Sequence, residues 1–504
     1  MKIFTATQIR AWDKCTIKKE GISSIELMDR AATASFEWIK QNIPLTKHFH
    51  IFCGTGNNGG DGLVIARLLK MAQAEVIVFI LDNKKHSSDF NINLLRLSDL
   101  QIEMIYFKAE KDFPTIDEDA VIIDALFGTG LDRPLKSIAA ALVNYINQTH
   151  VPVISIDMPS GLAADGTLQG GSIIKATNTL SFEVNKLAFF LPENAVYTGA
   201  IQIISIGLNK NFYDETASNF ETIDEHLIAK IYIRRNAFAH KYNFGHALIY
   251  AGSKNMMGAA ILCSKACLRS GAGLVTIQVS RDCEGIINVA IPEAITSSTS
   301  KKENSWLKKA AIGIGPGMEI NSSNKLLLKK ILTDWDGPLV IDASALQLLI
   351  TLSNLLPTRK NHPAILTPHQ GEFEKLFGKT ISDLETLQLA TKKSAELNCF
   401  IILKGHNTLI SCPDGHHYFN TTGNAGMATA GSGDALTGLL TGLLAQGYTE
   451  KNACILGVYL HGLAGDIAAE KMSQEAMIAS DITVNLGEAF KQIKGFASVK
   501  FNKI

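Results

Sequence analysis

The sequence predicts an α/β protein made of two domains, each with a parallel sheet covered by helices. Short apolar runs such as VIVFIL and AVIIDALF have no polar face, which is typical of strands buried on both sides. Helical stretches alternate with such runs in both halves of the chain. Residues 207–244 interrupt the alternation with polar sequence. We therefore place a boundary near residue 220 and define the domains as 1–215 and 216–504.

The composition excludes some classes of function. The 504 residues include 48 Lys+Arg and 48 Asp+Glu, and a net charge of zero argues against a nucleic-acid binder. The eight cysteines have no C-x-x-C pair and no zinc-ligand spacing, which favours free thiols in the cytoplasm. We find no signal peptide and no apolar run of roughly 18 residues, so no membrane partner is expected. A homo-oligomer is expected.

The first domain has the strand and helix order of a Rossmann-like, doubly wound sheet. A helix over residues 61–70 follows the first of its main strands. The predicted strands are 50–53, 75–81, 102–107, 120–125, 151–157, 179–184 and 200–206.

The loop after the first of these strands carries polar side chains among glycines. Gly54–Gly59 matches G-x-G-x-x-G, and Asp82 follows at the end of the next strand, as in a dinucleotide-binding fingerprint. The same pattern is compatible with a tight turn that binds nothing. Asn57, Asn58 and Asp61 add polar groups at the tip of the sheet, where ligands of such folds bind.

Two later strands of the first domain also end in an aspartate and a glycine turn. Asp124 precedes the run ALFGTGLDRP, and Asp157 precedes a Pro-Ser-Gly turn that contains Ser160. Either aspartate alone could be an ordinary helix N-cap. Together, Asn58, Asp124 and Ser160 form an oxygen-only set that suits a hard cation of low charge better than zinc.

These three segments, CGTGNNGGDG, DALFGTGLDRP and DMPSG, resemble the YjeF N-terminal domain. That family epimerises hydrated NADH and NADPH, called NADHX and NADPHX, and the resemblance covers roughly residues 1–215. It implies K+ at Asn58, Asp124 and Ser160, and Asp157 as the catalytic acid/base. It implies substrate contacts at Asn57, Asn58, Gly59, Gly60, Asp61, Gly128, Thr129, Gly130, Leu131, Asp132, Arg133, Pro134 and Asp157.

The second domain contains another glycine loop, Gly431-Ser-Gly-Asp434. The run ALTGLLTGLLAQG that follows is apolar nearly all round, so the helix is predicted to be buried. Free N–H groups at its start could hold a transferring phosphoryl group, and Asp434 could take a proton from a hydroxyl. Asp434 could equally be a simple N-cap. No Walker P-loop is present.

The remaining strand ends of the second domain support a nucleotide site. They carry residues 313–317, 367–372 and 404–408, and an Asp-Gly turn at residues 414–415 predicts a hairpin. Two helices are predicted to complete the chain after the second glycine loop. Taken alone, His369 would be interpreted as a packed or capping histidine. Because it follows one of several strands whose ends are expected to meet, we favour a binding role.

The segments SGAGLVT, TPHQGEF, LKGHNT and NAGMATAGSGD resemble the YjeF C-terminal domain, a ribokinase-like, nucleotide-dependent NAD(P)HX dehydratase. The resemblance runs from about residue 225 to the end, with departures at Tyr242, Ser344 and Ala425. It implies Asp434 as the base and Mg2+ as a cofactor. It implies nucleotide contacts at Lys404, Gly405, His406, Asn407, Thr408 and Gly433, and substrate contacts at Ala259, Gly317, His369 and Asp434.

Together the two resemblances imply a bifunctional repair enzyme. It would interconvert R- and S-NAD(P)HX and dehydrate the S form, with ADP giving AMP and phosphate, since the fused order resembles the ADP-using bacterial type. A hydroxymethylpyrimidine or sugar kinase would also use GSGD, but it leaves the first domain unexplained. A dehydrogenase would use G-x-G-x-x-G and Asp82, but it leaves Asp124 and Ser160 unexplained. A non-catalytic interaction module is the third alternative.

Overall fold

A computed structural model describes residues 1–81, 85–98, 100–166, 170–298, 306 and 308–498 of the chain. It divides into two compact units, Met1–Phe220 and Glu221–Ile504. Residues 216–220 therefore group with the first unit, whereas the domain limits drawn from the sequence put them in the second. Asp82, the acidic residue of the dinucleotide-binding pattern, lies outside the described residues.

The first unit has a seven-stranded sheet, and the alternating pattern of the sequence accounts for it. The strands of this sheet are β2 (His48–Cys53), β3 (Glu75–Leu81), β4 (Glu103–Phe107), β5 (Ala120–Ala125), β6 (Val153–Ile156), β7 (Asn178–Phe182) and β8 (Ala200–Ile204). The first unit also has a short strand outside this sheet, β1 (Lys2–Ile3). Its helices are α1 (Ala6–Glu20), α2 (Ser24–Asn42), α3 (Asn57–Met71), α4 (Ser88–Ser98), α5 (Ser137–Asn147), α6 (Ala195–Thr198) and α7 (Lys210–Glu215).

The strand order β4-β3-β2-β5-β6-β7-β8 confirms the doubly wound sheet. All six neighbouring pairs are parallel. The chain reverses its direction of winding between β2 and β5, and ligands of such sheets bind outside the carboxyl ends of the strands at this switch point. The loops after β2 and β5 are the glycine-rich segments that the sequence singled out.

Helix α3 differs from its prediction. It begins at Asn57, four positions before the predicted start at Asp61, because Gly56 in extended conformation already serves as its N-cap. The segment Asn57–Asp61 is therefore the first turn of a helix rather than a loop. Its backbone N–H groups face the carboxyl edge of the sheet, as expected for a helix N-terminus that follows a parallel strand.

The strand that joins the two units by sequence is β9 (Phe220–Thr222). The second unit then contains β10 (His246–Tyr250), β11 (Leu274–Val279), β12 (Ile295–Ser298), β13 (Ala311–Ile314), β14 (Leu339–Ile341), β15 (Ile365–Leu366), β16 (Phe400–Leu403), β17 (Leu409–Ser411) and β18 (His417–Phe419). Its helices are α8 (Glu225–Ile231), α9 (Met257–Arg269), α10 (Glu284–Ala290), α11 (Ser322–Asp334), α12 (Ala343–Leu349), α13 (Gln370–Phe377), α14 (Asp383–Leu397), α15 (Ser432–Ala445), α16 (Glu450–Met472) and α17 (Ala479–Ser498).

The sheet of the second unit has the order β18-β17-β16-β15-β14-β13-β10-β11-β12. The strands from β16 to β12 pair in parallel, and β16, β17 and β18 form antiparallel pairs. The predicted hairpin is confirmed, with Gly415 in the left-handed region (φ +82°) at its turn. The α/β fold class predicted for this half is confirmed.

Three helices, rather than the predicted two, follow the second glycine loop. Helix α16 ends where Ser473 adopts φ +79°, so that α16 and α17 are separate elements. Within the described residues, α16 alone is long and apolar enough to span a membrane by length and composition. Its most apolar stretch is 72% buried inside the protein, as in the core helix of a large domain.

Candidate active sites

A cavity of about 960 Å³ opens at the switch point of the first unit. Most of the predicted substrate-contacting residues line it, namely Asn57, Asn58, Asp61, Asp157 and the segment 128–134. Gly59 and Gly60 instead lie beneath its wall. A Cβ on Gly59 would overlap the carbonyl oxygen of Gly54, and one on Gly60 would lie 2.7 Å from the Met28 sulfur. These two glycines therefore allow close packing rather than contact with a ligand.

Asp157 lies at the carboxyl end of β6 in a strained conformation. Its φ of +65° is rare for a non-glycine residue and is the kind of strain that clusters at functional sites. One carboxylate oxygen accepts hydrogen bonds from the Thr129 N–H, at 2.8 Å, and from the Thr129 hydroxyl. The other lies 3.2 Å from the Lys186 ammonium. Burial favours the neutral acid, but Lys186 and Thr129 outweigh it and hold the pKa of Asp157 below its ordinary value.

Lys186 is a site residue that the sequence analysis missed. Its side chain is fully buried, and its ammonium also donates to the Ser181 hydroxyl at 2.7 Å and to the Phe182 carbonyl at 2.8 Å. Burial lowers the pKa of Lys186, and the charge of Asp157 opposes that shift. The one signal in the sequence was a lysine beside the apolar run LAFFL, just after a buried strand.

Two more carboxyl groups line the cavity near Asp157. Asp61, in the first turn of α3, is buried, and burial together with the charges of Asp157, Asp13 and Asp89 raises its pKa well above the ordinary value. Asp13, on α1, has its pKa raised to about 6 by burial and then by the charge of Asp157. The sequence analysis did not select Asp13.

The predicted cation ligands lie around one turn of the first unit. Asp124 is fully buried and accepts hydrogen bonds from the Ser160 hydroxyl at 2.5 Å and the Ser160 N–H at 2.9 Å. The Ser160 hydroxyl also accepts from the Phe127 N–H at 2.9 Å. Asn58 lies beside Gly128, the residue after Phe127, because a Cβ on Gly128 would be 3.1 Å from the side-chain oxygen of Asn58. Burial raises the pKa of Asp124 against these hydrogen bonds.

The Asn58 side chain provides the test of a cation site. Its amide nitrogen and oxygen are both buried and have no hydrogen-bond partner within the described part of the chain. Buried polar groups of this kind are normally satisfied by protein, water or an ion. An amide oxygen, a hydroxyl and one carboxylate fit a monovalent cation, and no cluster of three or more His, Cys, Asp or Glu side chains occurs among the described residues.

In the second unit, three predicted segments meet at the start of α15. Gly431 caps the helix at φ +92°, and Gly433 lies so close to Lys404 that a Cβ there would be 3.1 Å from its ammonium nitrogen. Lys404 pairs with Asp342 at 3.0 Å and lies 3.9 Å from Glu372. The site at the helix N-terminus is therefore bordered by one lysine and two acidic side chains.

Asp434 lies in the first turn of α15 and is half-buried. Burial and then the charge of Asp342 raise its pKa to about 6, against the opposing charge of Lys404. Asp342, which the sequence analysis also missed, is buried and accepts a hydrogen bond of 2.7 Å from the Thr437 hydroxyl. The lysine of this site thus pairs with Asp342, and Asp434 is left without an ion-pair partner in the described residues.

The structure supports both interpretations of His369, as a helix cap and as a binding residue. Its Nδ1 accepts hydrogen bonds from the N–H groups of Gly371, at 3.0 Å, and Glu372, at 3.4 Å, so the residue does cap α13. Because Nδ1 accepts, Nε2 carries the proton of the neutral ring. The side chain is 61% exposed, and an isolated parallel bridge places the residue beside Lys404. Its Nε2 lies 3.5 Å from a Glu372 carboxylate oxygen, and the exposure of the ring leaves this edge accessible to a ligand as well.

The other predicted residues of the second unit lie in two places. Gly317 (φ +65°) follows β13, and a Cβ there would be 2.8 Å from the Ala259 Cβ, so these two residues are neighbours. The segment 404–408 forms a turn closed by the Thr408 hydroxyl, which donates to the Gly405 carbonyl at 3.0 Å. His406 is exposed and Asn407 is half-buried within that turn.

Known proteins resemble both units of the chain. Residues 24–188 match a family described as YjeF-related protein N-terminus, and residues 247–486 match one described as NAD(P)H-hydrate dehydratase. The dehydratase of Bacillus subtilis described as ADP/ATP-dependent, crystallised with ATP and Mg2+, is 32% identical with a TM-score of 0.50. That similarity covers 55% of this chain and all of the other.

Full-length relatives carry both units in one chain. The bifunctional NAD(P)H-hydrate repair enzyme of Moorella thermoacetica is 35% identical over 96% of this chain and 95% of its own length. The enzyme of the same description from Coxiella burnetii is 31% identical over 96% and 98%, respectively. The two predicted resemblances are confirmed, and the chain belongs to the family of bifunctional NAD(P)H-hydrate repair enzymes.

Proposed function

We propose that the first unit epimerises R- and S-NAD(P)HX in its cavity and that the second unit dehydrates the S form at the start of α15. The chain is a bifunctional NAD(P)H-hydrate repair enzyme, and the proposal assigns its two reactions to two sites. The observation that carries the assignment is that each unit places one buried or half-buried aspartate, Asp157 or Asp434, at the carboxyl edge of its parallel sheet. The pKa of Asp157 is held below its ordinary value and the pKa of Asp434 is raised to about 6, so the two carboxyl groups differ in their electrostatic surroundings.

In the first unit, Asp157 is proposed as the base of epimerisation. The substrate carries a hydroxyl group at C6 of the nicotinamide ring, next to a ring nitrogen whose lone pair can expel it. Lys186 and Thr129 keep Asp157 ionised, and a carboxylate so held can accept a proton near C6. The segment 128–134 and Asn57, which line the same cavity, are proposed to contact the rest of the cofactor.

We propose that K+ binds at Asn58, Asp124 and Ser160. The unpaired Asn58 amide supports this, because its oxygen would gain a partner. The ion would supply a fixed positive charge beside the turn at Phe127–Gly128, which helps to hold a dinucleotide anion. Asp124 and Ser160 would position the ion, and they already contact each other.

In the second unit, Asp434 is proposed as the base that deprotonates the C6 hydroxyl for phosphorylation. Hydroxide is a poor leaving group, whereas phosphate leaves readily once the hydroxyl oxygen carries it. The N–H groups at the start of α15, with Gly433 and Lys404, would hold the phosphoryl group during transfer. His369, Gly317 and Ala259 are proposed to hold the hydrated cofactor, and residues 404–408 the adenine nucleotide.

The nucleotide is proposed to be ADP, which gives AMP and phosphate. The Bacillus subtilis relative is described as ADP/ATP-dependent, which supports an adenine nucleotide in general. Mg2+ is proposed to enter bound to the nucleotide phosphates, as Mg2+ usually does in phosphoryl-transfer sites. Glu372, which lies 3.9 Å from Lys404, is proposed as a carboxylate that contacts this ion.

We further propose that the enzyme works in the cytoplasm as a homo-oligomer. All eight cysteines are free, which is usual in a reducing compartment. Ile233, Phe238 and Tyr242 expose 55%, 94% and 69% of their surface on one segment of the second unit, which supports a subunit contact. Light scattering after size-exclusion chromatography would test this, and a monomer would contradict it.

The central test uses the purified full-length chain with a mixture of R- and S-NADPHX. Recovery of reduced-nicotinamide absorbance with ADP or with ATP would support the proposal, and the better nucleotide would identify the co-substrate. Asp434→Asn should lose dehydration and keep epimerisation, and Asp157→Asn the reverse. Glu20→Gln, an exposed carboxylate at the end of α1, is the control. A stable phosphorylated product would instead indicate a small-molecule kinase.

A further inference from the structure

Asp13 occupies a position that helix periodicity would assign to an apolar residue. Ile9, Asp13 and Ile17 lie four residues apart on α1, and all three line the cavity of the first unit. The helix is fixed in place by Trp12, whose indole N–H donates to the Asn209 carbonyl at 2.8 Å. Among the described residues, burial and the charges of Asp157 and Lys186 act on the Asp13 carboxyl, and no hydrogen bond does. It is therefore an unpartnered acid held on an apolar stripe that faces the candidate active site.

The surroundings of Asp13 are dominated by the other charged groups of the cavity. Asp157 and Asp61 interact with it electrostatically, as does Lys186, which is the positive charge nearest to Asp157. Arg10 on the same helix, with Lys85, Asp89, Asp132, Arg133, Lys136 and Glu183 on the surrounding elements, completes the charged lining. Asp13 and Asp157 interact through their charges but do not hydrogen bond to each other, and both carboxyl groups border the same cavity.

We propose that Asp13 is the second proton-transfer residue of epimerisation and works as a pair with Asp157 across the nicotinamide ring. The inference rests on the proposed assignment of epimerisation to this cavity. When inversion at C6 proceeds by loss and return of water, an oxygen leaves one face of the ring and another adds to the opposite face. A single carboxylate can reach only one of the two faces. Asp13 and Asp157 border the same cavity from different elements, α1 and the end of β6, and the proposal assigns one of them to each face.

The proposed epimerisation is a loss and a return of water at C6. The Asp13 carboxyl gives its proton to the C6 hydroxyl, the C6–O bond breaks, and water leaves while the lone pair of N1 forms a double bond to C6. A water molecule on the other face then adds to C6, the pair returns to N1, and Asp157 takes one proton from that water. The pair holds one proton before the reaction and one after it, and both carboxyl groups are ionised while the ring is a cation. Cavity water then carries the proton from Asp157 back to Asp13, which restores the starting state. Their pKa values are shifted in opposite directions, as this division of labour requires.

The test measures conversion of purified R-NADPHX to S-NADPHX by chromatography, without nucleotide, so that dehydration does not occur. Asp13→Asn should lower kcat by roughly 100-fold or more, the usual size of a general acid–base contribution, and should change KM much less. Dehydration of S-NADPHX with ADP should stay at the wild-type rate. Asp13→Glu should recover part of kcat, and Glu20→Gln, the same chemical change outside the cavity, should have no effect.

The pH profile separates proton transfer from a purely structural role. In the wild type, kcat/KM for the R form should fall as pH rises above about 6, where Asp13 loses its proton, and this limb should disappear in Asp13→Asn. Activity within threefold of wild type, or an unchanged alkaline limb, would overturn the proposal. Should Asp13→Asn not fold, an unmoved limb in Asp13→Glu would overturn it equally. If Asp157→Asn also stays active, the assignment of the cavity is wrong rather than the role of Asp13 alone.

Discussion

The buried ion pair between Lys186 and Asp157 allows a quantitative test of the electrostatics of the first unit. Lys186→Met keeps a side chain of similar length but removes the charge. The wild-type ammonium is fully buried and has three oxygen neighbours, on Asp157 at 3.2 Å, Ser181 at 2.7 Å and Phe182 at 2.8 Å. Substitution leaves a buried carboxylate with only the Thr129 hydrogen bonds to compensate its charge.

The expected loss of folding stability is large, because a buried charge without a partner costs much more free energy than a buried ion pair. Removing one partner of a buried ion pair typically destabilises a protein by about 3–5 kcal/mol. The loss should depend on pH. The depressed pKa of Asp157 in the wild type contributes stability above the unfolded value of about 3.9, and this is lost as pH falls through the folded value. In Lys186→Met the pKa rises instead, so the difference between the two proteins is greatest near pH 7 and smallest below about pH 4.

Hydrogen exchange of the β6 and β7 peptides in the full-length chain would report the unfolding free energy of this unit. Lys175→Met, an exposed lysine in the same unit, is the control and should differ little from wild type. The double variant Lys186→Met/Asp157→Asn has no lone charge and should recover much of the loss. A single variant within about 1 kcal/mol of wild type at pH 7, or a double variant less stable than the single, would refute the reasoning.

Asp434, Asn58 and Gly59 each have a property that a separate measurement can check. The wild-type rate of dehydration should rise with pH through about 6, since Asp434 must be ionised to act as a base, and a rate independent of pH from 5 to 7 would contradict that role. Asn58→Ala should raise the K+ concentration for half-maximal epimerisation by about tenfold, roughly 1.4 kcal/mol, and an unchanged K+ titration would exclude Asn58 as a ligand. Gly59→Ala should destabilise the first unit by about 1–3 kcal/mol or more, because its Cβ would overlap the Gly54 carbonyl oxygen. Gly56→Ala is the control, since a Cβ at that position meets open space. Equal unfolding midpoints for the two variants would contradict the packing argument.

The fold and the turn-based parts of both sites could be predicted because their signals are local. Apolar runs identify β2, β3 and β5, and the glycines and aspartates that follow strands lie in consecutive sequence. Lys186 and Asp342 could not be found in this way. Each is a common residue whose role depends on a partner far away in the chain, Asp157 for one and Lys404 for the other. The start of α3 was misplaced for a related reason, since Asn-Asn-Gly-Gly has low helix propensity and tertiary packing overrides it.

The positions of the two lysines account for the different properties of the two aspartates. Lys186 pairs directly with Asp157 and keeps that carboxylate ionised, whereas Lys404 pairs with Asp342 and leaves Asp434 next to a second negative charge. The first site therefore holds Asp157 as an anion at all physiological pH values. The second site raises the pKa of Asp434 to about 6, so that this carboxyl group can gain or release a proton near that pH. With Asp13 as its acid, epimerisation would decline above about pH 6, where dehydration gains its base. The pH ranges in which the two reactions are active would overlap just above this pH. The supply of the S epimer and its removal would therefore change in opposite directions as the pH rises.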